Sequence, residues 1–359
     1  MKGYNIAVIG GYPPPIGGIS VHIKRLIKKL DDKYLQYVLY NTSKNKIKVN
    51  YNIFNVNNLK LWLIKYFFCC KDKIIHCQER NWYLLFILCL IKKIHKSKLI
   101  LTIHSFREEP KKFNFLKKLC FYYSMKNVDQ FIPVGENEKL KLIKYNCDIS
   151  KIDVIPAYIN PDYDESDDKL IPNYIWNFMK DNDFNIVANA YKISFYKNED
   201  LYGIDMCVEL CSRLKKYFRF KKIGFVFCLP DIGDYEYYSK LKNIIGKLQI
   251  RDRFLLVNEK IPLCPILKKS NLFLRPTNTD SYGISIAEAL YYKVPSITSD
   301  VCRRPKGAIL FKTRNIKDLY NKTVDVIENY KFYKKKLKNI KVEDNYEKLL
   351  NIYRKLVNI

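Results

Sequence analysis

The feature that most constrains the fold is a regular alternation of short apolar runs with segments of helical periodicity. Strands that alternate with helices of about ten or more residues form βαβ units, and such units build a parallel sheet. In the first half of the chain this pattern predicts a helix at about Gly18–Leu30 and five strands. The strands are Asn5–Ile9, Tyr37–Tyr40, Ile74–His76, Leu99–Ile103 and Gln130–Pro133.

The second half repeats this alternation. Its predicted strands are Asn185–Asn189, Lys222–Leu229, Phe254–Val257, Leu272–Leu274 and Ser296–Thr298. Its predicted helices are Tyr202–Leu214, Tyr235–Leu248 and Ile284–Tyr291. An acidic, proline-bearing stretch separates the halves in an otherwise basic chain, which is typical of a linker. We therefore predict an N-terminal α/β domain over 1–160, a linker over 161–183, a second α/β domain over 184–330, and amphipathic helices over 331–359.

Length and charge narrow the class of protein. The 359 residues are 48% hydrophobic, which is too apolar for a disordered chain and enough for two cores. Lysine and arginine outnumber the acidic residues by 64 to 36, a net charge of +28. Phosphate-bearing ligands, anionic lipid and nucleic acid are all partners that such a surface attracts. The alternative explanation for the many lysines is codon bias in an AT-rich genome.

Neither the cysteines nor the apolar runs indicate secretion or membrane insertion. The eleven cysteines are scattered and form no CxxC pair, which predicts reduced thiols in a cytoplasmic protein. The longest apolar run, Trp82–Ile91, is half of the roughly 20 residues that a transmembrane helix needs. The four histidines have no zinc-ligand spacing with cysteine.

Glycine is rare but concentrated at the N-terminus, where five of twelve lie in the first 18 residues. Gly10-Gly11 follows the first predicted strand, and Gly17-Gly18 opens the first helix. Such a turn either lets an anion reach free N–H groups at the helix start or is only a tight turn. It contains neither GxGxxG nor GK[ST], so it is neither a dinucleotide fingerprint nor a Walker A loop.

The most specific signal lies at residues 272–311. A predicted strand ends near Arg275, a polar loop carries Asp280, and the following helix carries Glu288, with seven residues between the two acids. Ligands of α/β sheets bind at the carboxyl ends of strands, where this loop is expected. The amides at the helix start suit a diphosphate, and the two carboxylates suit two sets of hydroxyl groups.

This segment resembles the sugar-nucleotide site of family 4 of the GT-B glycosyltransferases, the glycogen-synthase-like retaining group. Their E-x7-E motif stands here as Asp280-x7-Glu288, followed by Ala289, with aspartate in place of the first glutamate. Gly17-Gly18 resembles the family's glycine turn, and Leu101–His104 resembles its T-x-H strand end. The resemblance continues at Val154–Asn160, the segment that leads into the second domain.

The resemblance implies an α/β GT-B fold with two Rossmann-like domains facing a cleft and C-terminal helices returning to the N-domain. It implies a metal-independent hexosyltransferase that moves a sugar from a nucleotide-sugar to an acceptor hydroxyl with retention. The acceptor is expected to be a lipid-linked glycan of surface polysaccharide synthesis. No cofactor is expected, because the nucleotide-sugar is a co-substrate.

The implied site residues fall into two groups. His104 and Asp280 would contact the reacting sugar, and Glu288 would hold the ribose. The complete expected donor-binding set is Gly17, Gly18, Lys192, Ser281, Tyr282, Gly283, Glu288 and Arg304. Tyr202 stands where the family has a lysine before Gly203. Lys192 best matches the family's arginine, with Lys197 as a second candidate, and the Arg303-Arg304 pair could supply the missing charge.

No metal site is expected. Asp181-Asn182-Asp183 matches the D-x-D of metal-dependent glycosyltransferases, but it precedes a predicted strand instead of following one, so we interpret it as a solvated turn.

Three N-domain segments mix lysines with aromatic residues, at 59–73, 82–98 and 111–127. In the third, Phe115, Leu119 and Tyr122 share one helix face. That face either packs on the domain core, leaving the lysines solvated, or lies on anionic lipid. The second reading predicts peripheral attachment at the inner face of the cell membrane.

Two other functions remain open at this point. One is another GT-B enzyme, such as a sugar-nucleotide epimerase. The other is a basic nucleic-acid-binding protein, although no RNA-recognition, helix-turn-helix or zinc-finger pattern occurs, and carboxylates in a binding cleft would repel a phosphate backbone. We therefore expect no nucleic-acid partner.

Overall fold

The computed structural model describes residues 5–14, 17–33, 35–47, 52–106, 108–162 and 165–357. The chain forms two compact units. The first unit consists of Met1–Ile159 together with Asp344–Ile359, and the second unit consists of Asn160–Glu343.

The first unit is built on a six-stranded parallel sheet. Its strands are β1 (Ile6–Gly10), β2 (Tyr37–Asn41), β3 (Ile53–Asn55), β4 (Ile74–Cys77), β5 (Lys98–Ile103) and β6 (Gln130–Pro133). Its helices are α1 (Gly18–Asp32), α2 (Leu59–Cys69), α3 (Trp82–His95), α4 (Phe115–Asn127), α5 (Glu136–Lys144) and, from the C-terminus, α13 (Tyr346–Val357). The strands are ordered β3-β2-β1-β4-β5-β6.

The second unit has a sheet of the same design. Its parallel strands are β7 (Phe184–Asn189), β10 (Ile223–Cys228), β11 (Phe254–Val257), β12 (Leu272–Arg275), β13 (Ser296–Ser299) and β14 (Ile309–Phe311), ordered β11-β10-β7-β12-β13-β14. A two-stranded hairpin is formed by β8 (Phe195–Tyr196) and β9 (Glu199–Asp200). The helices are α6 (Asn173–Lys180), α7 (Ile204–Tyr217), α8 (Tyr235–Lys247), α9 (Leu263–Lys268), α10 (Ile284–Tyr291), α11 (Ile316–Glu328) and α12 (Tyr330–Lys338).

Both sheets have the strand order 3-2-1-4-5-6 when numbered within their own unit. This is the doubly wound order, in which the chain reverses direction across the sheet between strands 1 and 4. In sheets of this order the loops that leave those two strands diverge, and ligands bind in the crevice at their carboxyl ends. In the second unit this point lies between β7 and β12.

Each sheet is covered by helices on both faces, which explains the continuous apolar strands. Helices α2, α3 and α4 bury residues in one core cluster of the first unit, while α1 and α13 cover its other face. The predicted α/β class with two parallel sheets is confirmed, and so are the predicted strands, to within a residue or two. Two three-residue edge strands, β3 and β14, were not predicted, because so short a run carries little periodicity.

The C-terminal helices divide between the units. Helix α13 belongs to the first unit, with Leu350 and Tyr353 in its core, as the GT-B resemblance implied. Helix α12 instead stays with the second unit, where Leu337 is buried. Part of the segment predicted as a linker forms α6, which buries Ile175 and Met179 in the second unit. All eleven cysteines are described, and each is a free thiol.

Candidate active site at the carboxyl edge of the second sheet

The loop between β12 and α10 is shaped by a glycine that no other residue could replace without strain. Gly283 precedes α10 with φ +93°, a left-handed conformation that favours glycine. A Cβ there would lie 2.5 Å from Cδ1 of Ile286 and 3.0 Å from Nη1 of Arg304. The loop therefore turns tightly into the helix, whose first amides face the carboxyl edge of the sheet.

Arg304 holds this loop from beneath. Its side chain is 2% exposed, and its guanidinium donates hydrogen bonds to β13 and to the loop. Nη1 lies 2.9 Å from Oδ2 of Asp280, Nη2 lies 3.0 Å from Oγ1 of Thr277, and Nε lies 3.0 Å from the carbonyl of Ser299. Further contacts reach the Ser299 hydroxyl and the Tyr282 carbonyl. The N–H groups of Arg304 thus donate hydrogen bonds to the protein itself.

Asp280 is an ionised carboxylate at this point. Burial alone would raise its pKa, but the guanidinium groups of Arg275 and Arg304 hold the pKa of Asp280 below its ordinary value. The Ser281 amide also donates to Oδ1 at 3.0 Å. Asp280 therefore carries a full negative charge between two arginines, at the end of a central strand.

Arg275, the last residue of β12, brings a second cation to the same edge. Its Nη1 donates to the backbone carbonyl of Asn189 at 3.0 Å, its Nε lies 3.5 Å from Asp280, and its guanidinium carbon lies 5.1 Å from the centre of the Tyr202 ring. Its Nη2 makes no hydrogen bond to the part of the chain that the structure describes. Because Asn189 ends β7, Arg275 spans the point where the strand order reverses.

The start of α7 lies beside the place where the strand order reverses. Asp200 accepts hydrogen bonds from the amides of Tyr202, Gly203 and Ile204. Burial raises the pKa of Asp200 to about 6, and the neighbouring Asp205 adds to the rise, although the amide hydrogen bonds oppose it. A Cβ on Gly203 would lie 2.5 Å from the Pro276 carbonyl, so α7 begins directly against the β12 loop.

The remaining predicted residues of the second unit lie around this edge. Lys192 is exposed and follows β7, where its backbone pairs with that of Asp231 as an isolated parallel β-bridge. Glu288 is buried in α10. Burial raises the pKa of Tyr282 to about 12, with Glu343 adding to the rise and Arg303 opposing it, so its phenol stays protonated. Lys192, Asp280, Ser281, Tyr282, Gly283 and Glu288 all belong to one sheet edge or to α10.

Three predicted residues lie in the first unit. Gly17 is the N-cap of α1, and Gly18 is its first residue. His104 follows β5 directly, and its Nε2 lies 2.7 Å from Oε1 of Gln78. These residues lie at the carboxyl edge of the first sheet, close to where its own strand order reverses.

Two assignments change once the contacts are known. Arg304 was expected to bind the donor, but its guanidinium is buried and bonded throughout to β13 and the loop. Arg275 was not identified as a site residue, although a charged residue at the end of the buried run Leu272–Arg275 was a usable signal.

Asp181-Asn182-Asp183 precedes β7 and therefore lies at the opposite, amino edge of the sheet, where Asp183 accepts from the Lys222 amide. Over the described ranges no group of three or more His, Cys, Asp or Glu side chains is arranged to hold a metal ion. Nor does any helix within those ranges combine the length and apolarity needed to cross a membrane.

Two Rossmann-like units with parallel sheets give the chain the fold of GT-B glycosyltransferase structures. Residues 180–342, which lie within the second unit, match the model of the family Glycosyl transferases group 1. An uncharacterized glycosyltransferase of Methanocaldococcus jannaschii is 23% identical over 342 residues, which cover 89% of this chain and 87% of that protein.

Solved structures agree in fold. A glycosyltransferase from Rickettsia africae has a TM-score of 0.68 at 16% identity, covering 98% of this chain and 99% of that one. Anabaena HepE, solved with UDP and glucose, has a TM-score of 0.70 at 12% identity, covering 99% and 96%.

Replacing Arg304 by glutamine is expected to destabilise the second unit by about 3 kcal/mol, because it leaves Asp280 without its nearest cation in a buried setting. The matched control is Arg303→Gln, which removes an exposed charge next to it and should change stability by less than about 0.5 kcal/mol. Urea unfolding measures both. Equal stability of the two variants would contradict the structural role of Arg304.

Proposed function

We propose that this protein is a retaining glycosyltransferase that moves a sugar from a nucleotide-sugar to an acceptor hydroxyl. The observation that carries the proposal is the meeting of Arg275, ionised Asp280 and the start of α10 at the reversal point of the second sheet. That point is where α/β sheets bind nucleotides, and the groups found there complement a sugar diphosphate.

The donor diphosphate is assigned to the cations and amides of this edge. Arg275 offers Nη2, Lys192 offers an exposed ammonium group, and the amides of Tyr282 and Gly283 precede the positive end of α10. Asp280 would accept hydrogen bonds from sugar hydroxyls, and Glu288 would hold the ribose. Arg304 acts by fixing the loop in the conformation that these contacts need.

In the reaction, the bond between the anomeric carbon and the diphosphate oxygen breaks, and its electron pair leaves with the nucleoside diphosphate. The acceptor hydroxyl forms the new bond on the same face, and its proton passes to the departing phosphate. Fixed side-chain cations stabilise the charge that develops on the leaving group. We propose that these cations do so without a metal ion.

Arg275→Gln is expected to weaken the binding of nucleoside diphosphate roughly 10- to 100-fold, because it removes one charge-assisted hydrogen bond. Arg219→Gln is the control, since it removes an exposed arginine after α7, at the amino edge of the same sheet. Isothermal titration calorimetry measures both variants. Equal losses would mean that Arg275 contributes only to the net charge.

The function itself is tested with a panel of nucleotide-sugars, reading released nucleoside diphosphate with and without a lipid-linked acceptor, in excess EDTA. We expect acceptor-dependent turnover that survives chelation, and loss of most turnover in Glu288→Gln, which keeps the side-chain shape but removes the charge. Loss of turnover on chelation, restored by Mn²⁺ or Mg²⁺, would overturn the metal-independent mechanism. An epimerised sugar formed without acceptor would overturn the transferase.

We further propose that the first unit binds an anionic membrane surface, where a lipid-linked acceptor would lie. The stripe on α4 points to solvent instead of to the core: Phe115 is 83% exposed, with Leu119 and Tyr122 about half exposed. Helix α2 exposes a second apolar row. Its members are Leu61, Ile64 and Phe68.

Both rows lie on one side of the first unit, because α2, α3 and α4 all pack their inward residues into the same core cluster. Exposed lysines flank the rows, at Lys60, Lys65, Lys111, Lys112 and Lys126. Each lysine near an anionic surface contributes about 1 kcal/mol of attraction. Five of them, with aromatic insertion, suffice for reversible attachment.

Sedimentation with vesicles tests this surface. We expect the protein to pellet with anionic vesicles at low salt, less at high salt, and little with neutral vesicles. Lys111→Glu with Lys126→Glu should weaken pelleting strongly. Lys117 is omitted because it pairs with Glu108 and lies over the Phe113 ring.

The control is Lys240→Glu with Lys247→Glu, which changes the net charge equally on exposed positions of α8. An equal effect of both double variants would mean that only the net charge of the protein attracts it to the vesicles. Wild-type protein that ignores anionic vesicles at low salt would refute the membrane proposal.

A further inference from the structure

Three of the four histidines meet on one face of the first sheet. His76 lies on β4, His104 follows β5, and His22 lies on α1. Side chains alternate between the faces of a strand, so His76 and Gln78 share a face, as do Thr102 and His104. This is the face covered by α1 and α13, and the polar side chains form a seam in an otherwise apolar layer.

A continuous hydrogen-bond chain crosses this seam. Nδ1 of His76 lies 2.6 Å from the Tyr353 hydroxyl on α13, and Nε2 of His76 lies 2.7 Å from Oγ1 of Thr102. Gln78 then links the two histidines: its Nε2 lies 3.1 Å from Nε2 of His76, and its Oε1 lies 2.7 Å from Nε2 of His104. The chain thus joins the C-terminal helix to the residue that follows β5.

The amide of Gln78 sets the direction of these hydrogen bonds. An amide oxygen only accepts, so Nε2 of His104 carries the hydrogen and donates it. An amide nitrogen only donates, so Nε2 of His76 accepts, and Nδ1 of His76 donates to the Tyr353 hydroxyl. In a neutral imidazole with hydrogen on Nε2, Nδ1 is the basic nitrogen.

The imidazoles are held neutral by their surroundings. Burial lowers the pKa of His104 well below its ordinary value, and the neighbouring His22 and His76 lower it further. Burial likewise lowers the pKa of His22 to about 4 and that of His76 to about 3. A neutral ring has one donor and one acceptor nitrogen, so the choice of tautomer decides what His104 offers to a ligand.

The absence of a side chain at Gly10 makes room for Gln78. A Cβ on Gly10, at the end of β1, would lie 2.9 Å from Cβ of Gln78 and 2.6 Å from Cδ1 of Ile23. Gly10 therefore lets the Gln78 side chain lie across the end of β1. Packing against Gln78 and Ile23 therefore explains the glycine at position 10 without any ligand.

We propose that Gln78 is a positioning residue that keeps the hydrogen of His104 on Nε2, so that the imidazole faces the donor sugar as one tautomer in one orientation. This rests on the proposed function, in which His104 contacts that sugar. Gln78 itself touches no substrate. It acts by holding the ring orientation and the proton position of His104 before the substrate arrives.

Nitrogen-15 NMR of the intact, ligand-free protein tests the tautomer without any turnover. We expect Nε2 of His104 to carry the hydrogen in wild type and in Gln78→Glu, whose carboxylate still accepts from Nε2. Gln78→Met keeps the length but not the hydrogen bonds, and should show mixed tautomers. Ile100→Val, a buried change on the same face of β5, is the control and should leave the His104 signal unchanged.

Kinetics give the second readout. Gln78→Met should lower kcat about two- to tenfold, the effect of one neutral hydrogen bond, with the donor KM nearly unchanged, and Gln78→Glu should restore most of it. An Nδ1–H tautomer in wild type, or an unchanged tautomer in Gln78→Met, overturns the proposal whether or not the methionine variant is active. Failure of the proposed function would appear differently, as no turnover in wild type with the tautomer as expected.

Discussion

A parallel sheet whose strand order reverses at its first strand leaves one place where neighbouring loops diverge, and both units of this chain are organised around that place. In the second unit, β7 and β12 end there, and they bring Asn189 and Arg275 into hydrogen-bonding contact. In the first unit, β1 and β4 end there, and the Gln78 side chain occupies the space that a Cβ on Gly10 would need. Helices that cover both faces supply the apolar burial, so the carboxyl edges remain available for polar side chains.

Charge at the second edge is arranged in layers. Arg304 lies beneath the loop and is bonded throughout to the protein, Asp280 lies between it and Arg275, and Arg275 reaches outward. A buried pair such as Arg304 and Asp280 adds little net stability over an apolar pair, but removing one partner is costly. Its effect is to hold the loop and the first amides of α10 in one conformation, which is the preorganisation that binding a diphosphate requires.

The sequence alone predicted the strands, the two α/β halves and the acid-bearing loop, because apolar runs and loop polarity are local signals. It could not separate Arg304 from Arg303, since adjacent arginines in one turn differ only in which of them points inward. Gln78 and Tyr353 were missed because their contact with His76 joins residues far apart in the chain. The stripe on α4 has the same spacing whether it faces core or solvent, and only the packing of Phe121 and Cys120 against the core places Phe115 outside.

Hydrogen exchange with and without a nucleoside diphosphate tests the central claim most directly, because it reports where the ligand binds without requiring the correct sugar or acceptor. We expect the ligand to slow exchange in residues 276–288 and at the start of α7. Exchange in the turn that joins α7 to β10, at the amino edge of the same sheet, should stay unchanged. Protection confined to that amino edge, near Asp181 and Asp183, would contradict the claim.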